Sequence, residues 1–250
     1  MTVVATATFN LDLSEIVEEA FERCGSELRS GYDLRTARRS LNLLFADWAN
    51  RGINMWTIEQ GEIPLVQGVN TYDLPVDTID LLEHVVRTNS GQQNSQADLT
   101  ISRISVSTYA TIPNKLDQAR PIQVWINRQS GATYAGTSST TPPAGGDAPK
   151  IVVWPTPDQG SVGSPYYTFV YWRLRRIHDA GNGVNTEDIP FRFLPCLIAG
   201  LSYYMALKIP GADARLGILK QQYDEAWQLA ADEDREKAPI RFVPRRMFIT

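Results

Sequence analysis

The sequence predicts an α+β protein: a bundle of about four helices drawn from both chain termini, an inserted antiparallel β-rich domain, and an extended C-terminal arm. Three observations predict it. Large apolar residues recur at helical spacing before Gly52 and again after Pro190. Between those stretches the chain breaks into short apolar runs cut by Gly, Asn, Pro and Asp, the texture of strands and turns. After Arg235, Pro239 and Pro244 forbid a continuing helix, and cations become dense.

The first helix begins at Asp12. Together with Glu15 it resembles a capping box with Asp in the usual Ser or Thr position, and Leu13, Ile16, Val17, Ala20, Phe21 and Cys24 follow at helical spacing up to Gly25. The short connection that follows predicts two helices packed as a roughly antiparallel pair. The second stretch, DLRTARRSLNLLFADWANRGINMW, runs from Asp33 to Trp56 and anchors the reading. Ala37, Leu41, Leu44, Phe45 and Trp48 form one stripe, with Arg35, Arg38, Arg39, Asn42 and Asp47 off it. Asp33 is read as its N-cap and Gly52 as its left-handed terminator.

Strands are predicted in MWTIEQGEIPLV, VNTYDLP, LLEHVVRT, DLTI, PIQVWINR, KIVVWP and YYTFVYWRLRRI. In PIQVWINR, Ile122, Val124 and Ile126 alternate with Gln123, Trp125 and Asn127, and KIVVWP is its expected partner. In the last strand Phe169, Tyr171, Arg173 and Arg175 share one face, and Val170, Trp172 and Leu174 the other. SRISVSTYATIPNK reads as a short helical turn capped by Ser105 and stopped by Pro113. The segment between the paired strands is rich in Gly, Ser, Thr and Pro, so a mobile hairpin is expected over 129–150. A helix apolar almost all round, with Leu194, Leu197, Ile198, Leu201, Tyr204 and Met205, precedes a final amphipathic one carrying Leu216, Leu219, Tyr223, Trp227 and Ala230. The expected organisation is a helical bundle from 1–54 and 190–234, a β-rich insertion over 55–189, and an arm over 235–250.

The composition, 43% hydrophobic and 21% charged, is that of a chain able to bury a core in water. No apolar run approaches a membrane span, and MTVVATATFNLD lacks the regions of an export signal, so neither membrane nor export is expected. A net charge of −4 argues against a dedicated nucleic-acid binder. From Arg235 onward five cations oppose Glu236, a local +4 that leaves −8 on the rest.

No constellation of catalytic residues is legible. His84 and His178 have no nucleophile or metal-ligand spacing around them, AGGDAP is not a phosphate-binding loop, and Cys24 and Cys196 read as core thiols. No catalytic, cofactor-binding or metal-binding residue is assigned, and no enzyme activity is expected. Asp73, Asp77, Asp80 and Glu83 read as solvated carboxylates. Trp125, Tyr134, Trp154, Tyr166, Tyr167 and Trp172 fit a sandwich core or, in the alternative, the aromatic platform of a carbohydrate-binding module. Arg173, Arg175 and Arg176 read as an edge-strand or interface group, with phosphate contact as the alternative.

The stretch from Asp33 to Trp56, YDLP, RISVSTYATIPNK, and the string LPCLIAGLSYYMALKIPGADARLGILKQQYDEAWQLAADEDRE together resemble the head-to-tail adaptor proteins of tailed bacteriophages, also called tail tubular or packaged-DNA-stabilising proteins. The resemblance runs from about Asp12 to Arg246. It implies a non-enzymatic structural virion protein, made in the host cytoplasm, that sits at the head-to-tail interface. There it would form a ring, dodecameric in such assemblies, beneath the portal. Such a ring extends the DNA channel used in ejection and docks the tail or nozzle protein below, with DNA passing through the lumen without sequence-specific binding. The alternative class is a carbohydrate-binding or other β-rich tail or surface module of a virion.

The arm alternates Ile240, Phe242, Val243, Met247, Phe248 and Ile249 with Arg241, Arg245 and Arg246, so its target should be apolar and acidic. The resemblance makes that target the portal; the alternative is an arm folded back on its own body. Arg35, Arg38 and Arg39 on one helix and Asp224 and Glu225 on another are complementary and are the candidate contacts between neighbouring copies. Once the core is assigned no broad apolar stripe is left over, so the isolated chain is expected to be monomeric or weakly associating.

Overall fold

The computed structural model describes residues 9–28, 31–52, 55–128, 149–180 and 187–235. Its elements in chain order are α1 (Leu13–Cys24), α2 (Gly31–Arg51), β1 (Ile58–Pro64), β2 (Thr71–Asp73), β3 (Thr78–Thr88), β4 (Ala97–Thr100) and β5 (Ser102–Ile104). Then come α3 (Val106–Ala110), β6 (Gln123–Asn127), β7 (Lys150–Trp154), β8 (Tyr167–Arg175), α4 (Leu194–Ala206) and α5 (Asp213–Glu233). The class is α+β. Two compact units divide the chain, Met1–Trp56 with Ile177–Thr250 and Thr57–Arg176.

In the helical unit, the Asp12 carboxylate accepts from the Glu15 N–H at 2.9 Å and the Glu15 carboxylate accepts from the Asp12 N–H at 3.0 Å. This reciprocal capping box satisfies two otherwise orphaned donors and sets where α1 begins. Gly25 closes it with φ +77°, in the left-handed region. α2 starts earlier than its sequence pattern indicates: Asp33 lies inside the first turn rather than at the cap, where its charge still complements the helix dipole.

α4 is the centre of this unit. Ten of its residues are buried, from Leu194 and Cys196 to Met205 and Ala206, because a helix apolar all round can bury every side. α1 and α2 touch each other but rest chiefly on α4. Packing is tightest at Gly200. A Cβ there would come within 2.9 Å of the Tyr223 ring and 3.0 Å of Leu44, so only hydrogen lets α2 and α5 approach α4 this closely. Trp48, fully buried, donates its indole N–H to the Tyr223 hydroxyl at 3.2 Å and lies 6.1 Å from the Trp227 ring.

The second unit consists of two four-stranded sheets, ordered β1-β8-β3-β4 and β2-β7-β6-β5. Leu65, Leu81, Val86, Val124, Ile151, Val153 and Phe169 form one core. Six pairings are defined: β6 pairs β7 antiparallel as expected, and β5 pairs β6 in parallel while the others are antiparallel. β5 escaped the sequence reading because its three residues bury almost nothing, leaving no apolar alternation to see. Ser105 caps α3 by accepting from the Thr108 N–H. Val124 and Ile126 face the core as their alternation predicts, but Ile122, before the strand begins, is exposed. Residues 129–148, most of the expected hairpin, lie outside the described residues.

Candidate partner-binding surfaces

Both cysteines are committed to the fold. Cys24 and Cys196 are free and buried; burial pushes both thiols up, Cys196 to about 12, and Cys24 donates to the Ser202 carbonyl at 3.2 Å. A thiol held protonated in this way is a poor nucleophile. Among the described residues no group of three or more His, Cys, Asp or Glu is placed to hold a metal ion, and no helix is long and apolar enough to cross a membrane.

His84 on β3 stacks against Phe169 at 5.8 Å, and neither ring nitrogen has a hydrogen-bond partner among the described residues. Burial lowers its pKa, with the neighbouring Glu83 opposing the shift and Arg103 adding to it. A histidine depressed on folding contributes stability that is complete above its unfolded value near 6.5 and is lost as pH falls below it. Acidification from pH 7.5 to 5 is therefore expected to destabilise the protein by up to about 1.4 kcal/mol per pH unit over the shifted interval. Urea melts of the parent and His84→Phe should show this slope in the parent and a reduced one in the variant.

Of the carboxylates read as solvated, Glu83 is exposed, and the other three are paired. Asp73 meets Lys150 at 2.7 Å, Asp80 meets Arg103 at 2.9 Å and Arg128 at 3.1 Å, and Asp77 accepts from Arg173. That hydrogen bond holds the Asp77 carboxyl below the usual carboxylate range. The arginines of β8 are corrected in the same way. β8 lies between β1 and β3, not at an edge, and Glu59 on β1 accepts from Arg173 at 2.8 Å and Arg175 at 2.6 Å. A buried guanidinium already occupied by carboxylates cannot engage phosphate.

Trp125 and Trp154 share the face of their sheet opposite Val124 and Val153, whereas Tyr167 and Trp172 belong to β8 of the other sheet. Trp125 stacks on Tyr109 at 5.2 Å, Trp154 donates its indole N–H to the Asn114 carbonyl, and Tyr167 is buried edge-on to Tyr166. Tyr134 lies outside the described residues.

The candidate contact residues between copies lie on the helical unit. Arg35 donates to the Gly31 carbonyl at 3.3 Å, and Arg38 to the Ala180 carbonyl at 2.9 Å while Asn42 accepts from the Ala180 N–H at 2.8 Å. Arg38 thus clamps the segment entering the second half of the unit, a role no local pattern announced. Arg39 borders a depression of about 690 Å³ with Asp33 and Lys208. Asp224 and Glu225 lie on the outer face of α5 beside Lys220, and Glu225 accepts from Gln221 at 2.9 Å. The structure does not bring the α2 arginines onto these acids within one chain, and Arg38 is already engaged.

A second surface was not anticipated. The outer face of α1 and the start of α4 enclose a groove of about 680 Å³. Leu11, Leu194, Pro195 and Ile198 line it, Phe9 and Phe191 flank it at 74% and 70% exposed, and α1 contributes Glu15, Glu18 and Glu22. This corrects the expectation that no apolar surface is left over. The glutamates were visible at helical spacing opposite the apolar stripe of α1; the two phenylalanines are far apart in sequence and gave no signal. The arm residues Ile240, Arg241, Phe242, Val243, Arg245, Arg246, Met247, Phe248 and Ile249 lie outside the described residues.

Residues 11–243 match the family model described as SU10 adaptor protein. No curated protein matches the chain.

Proposed function

The chain belongs to the SU10 adaptor family, a phage head-to-tail adaptor family, and from that premise we propose that it forms a ring beneath the portal, extends the DNA channel and docks the tail. It is a structural protein of the bacteriophage virion. The observation that carries the reading is the family match across residues 11–243, which takes in both the helical and the β-rich unit. Its interaction with portal and tail proteins and its oligomerisation follow from that membership.

The charge arrangement supports passage of DNA rather than its capture. Arg87, Arg103, Arg128, Lys150, Arg173 and Arg175 of the β-rich unit all contact a carboxylate, so these cations are neutralised locally. An acidic body presents little to phosphate, and duplex DNA would slide past it by repulsion. In this reading the reactions of the protein are assembly steps, with no catalysis. Arg39 on one copy and Asp224 and Glu225 on the next remain the candidates for lateral ion pairs, and the arm from Arg235 to Thr250 is the portal-docking element.

Deleting Glu236 to Thr250 is expected to abolish attachment to portal rings in a pull-down while the circular dichroism spectrum stays that of the parent. Electron microscopy of the parent mixed with portal should show an added ring. Undiminished loading of the truncated chain would remove the arm from this role.

A further inference from the structure

We propose that the acid-walled apolar groove between α1 and the start of α4 is the resting dock of this chain's own C-terminal arm in the free subunit.

The groove has a definite chemistry. Its floor is aliphatic and two exposed phenylalanines flank it, an arrangement that leaves large apolar area in water unless something covers it. Its wall is acidic. Glu15 is taken up in the capping box and Glu19 pairs with Arg23 at 2.8 Å, but Glu18 and Glu22 have no cationic partner among the described residues. Successive turns of one helix therefore present two unneutralised carboxylates along an apolar trough. The ligand that fits is an extended peptide alternating large apolar side chains with cations.

The chain carries such a peptide. Ile240, Phe242, Val243, Met247, Phe248 and Ile249 supply anchors, and Arg241, Arg245 and Arg246 supply charge opposite to that of the wall. Its starting point is also in place. At the end of α5, Glu233 lies 3.8 Å from Arg192, itself a groove residue, and Asp234 accepts from the Met55 N–H at 3.2 Å. Fifteen residues follow Arg235, enough for an extended reach of about 50 Å. An intramolecular ligand tethered beside its site is favoured by effective concentration over any second copy at ordinary dilution.

In the free subunit this contact covers the apolar anchors of the arm, and the portal would displace it. That last step rests on the portal-docking reading; occupancy of the groove does not.

The test uses the full chain. Both native cysteines are buried, so paired variants Glu18→Cys with Phe248→Cys, and Glu22→Cys with Met247→Cys, report proximity through disulfide formation under mild oxidation. Lys220→Cys with either arm cysteine is the control for random tethered collisions. Intramolecular disulfide is expected at least about tenfold faster at the groove positions than at the control. Replacing Arg241, Arg245 and Arg246 by Glu should bring it down to the control rate. Equal rates at groove and control, or cross-linked dimers in place of intramolecular bridges, would overturn the proposal; dimers would assign the groove to a neighbouring copy's arm. A groove that captures the arm while the truncated chain still loads onto portal would leave this inference standing and sink the portal-docking reading alone. Loss of loading without capture would do the reverse.

Discussion

Truncating Trp48 to alanine is expected to lower the unfolding free energy by about 3–5 kcal/mol, the range for deleting a fully buried large aromatic side chain. The residue is 0% exposed and sits where α2, α4 and α5 converge. Its removal loses the transfer free energy of the indole and leaves a cavity that neighbouring side chains cannot collapse into freely, because Gly200 already brings Tyr223 and Leu44 to minimum separation. It also removes the donor to the Tyr223 hydroxyl, which keeps only its own long donation to Asp47 at 3.5 Å. Urea melts followed by far-ultraviolet circular dichroism measure the loss. A change below about 0.5 kcal/mol would mean that the helical unit does not depend on this junction.

Replacing Arg173 by methionine is expected to cost about 2–3 kcal/mol. Breaking a buried ion pair from one side typically costs about 3–5 kcal/mol because a charge is left without its partner. Here the arginine side chain is 11% exposed while those of Asp77 and Glu59 are 33% and 44% exposed, and Glu59 keeps Arg175, so Asp77 is the carboxylate abandoned; it regains part of its hydration and the cost falls below that range. The acid limb offers a second readout. A carboxyl depressed on folding contributes stability that is present above its unfolded value near 3.9 and is lost as pH falls through that value toward the folded one. Asp77 is such a group, so stability of the parent should decline more steeply below about pH 4 than that of the Arg173→Met variant. Arg103→Met, on a more exposed pair with Asp80, is the matched comparison and should cost no more than about 1 kcal/mol. Equal losses in the two variants would show that burial of the β8 arginine adds nothing.

The features that the sequence alone determined are those governed by short-range periodicity and capping. The stripe of Ala37, Leu41, Leu44, Phe45 and Trp48 is buried as its spacing requires, Asp12 with Glu15 starts α1, Ser105 starts α3, and β6 with β7 pair as neighbouring apolar alternations predict. Each depends on residues within a few positions, or on two apolar runs that follow one another in the chain. The α+β class follows from the same signals, since a change of period from helical to strand-like is a local property. Strings of residues in the right order were likewise enough to resemble the adaptor family.

Only the tertiary structure decided what the charges do. Glu59 lies 114 residues before Arg173, and Ala180 lies 142 residues after Arg38, so nothing along the chain announces either contact. Strand order made β8 internal, and internal position placed Arg173 and Arg175 of the apparent surface patch in a neutralised interior network, while Arg176, just past β8, stays exposed. The groove required three remote pieces, the approach to α1, the outer face of α1 and the start of α4, to share one side of the helical unit. A charged side chain takes its partner, and an apolar one its cover, from whatever the register and packing set opposite it, and those are fixed by the sum of contacts over the whole chain rather than by its neighbours in sequence.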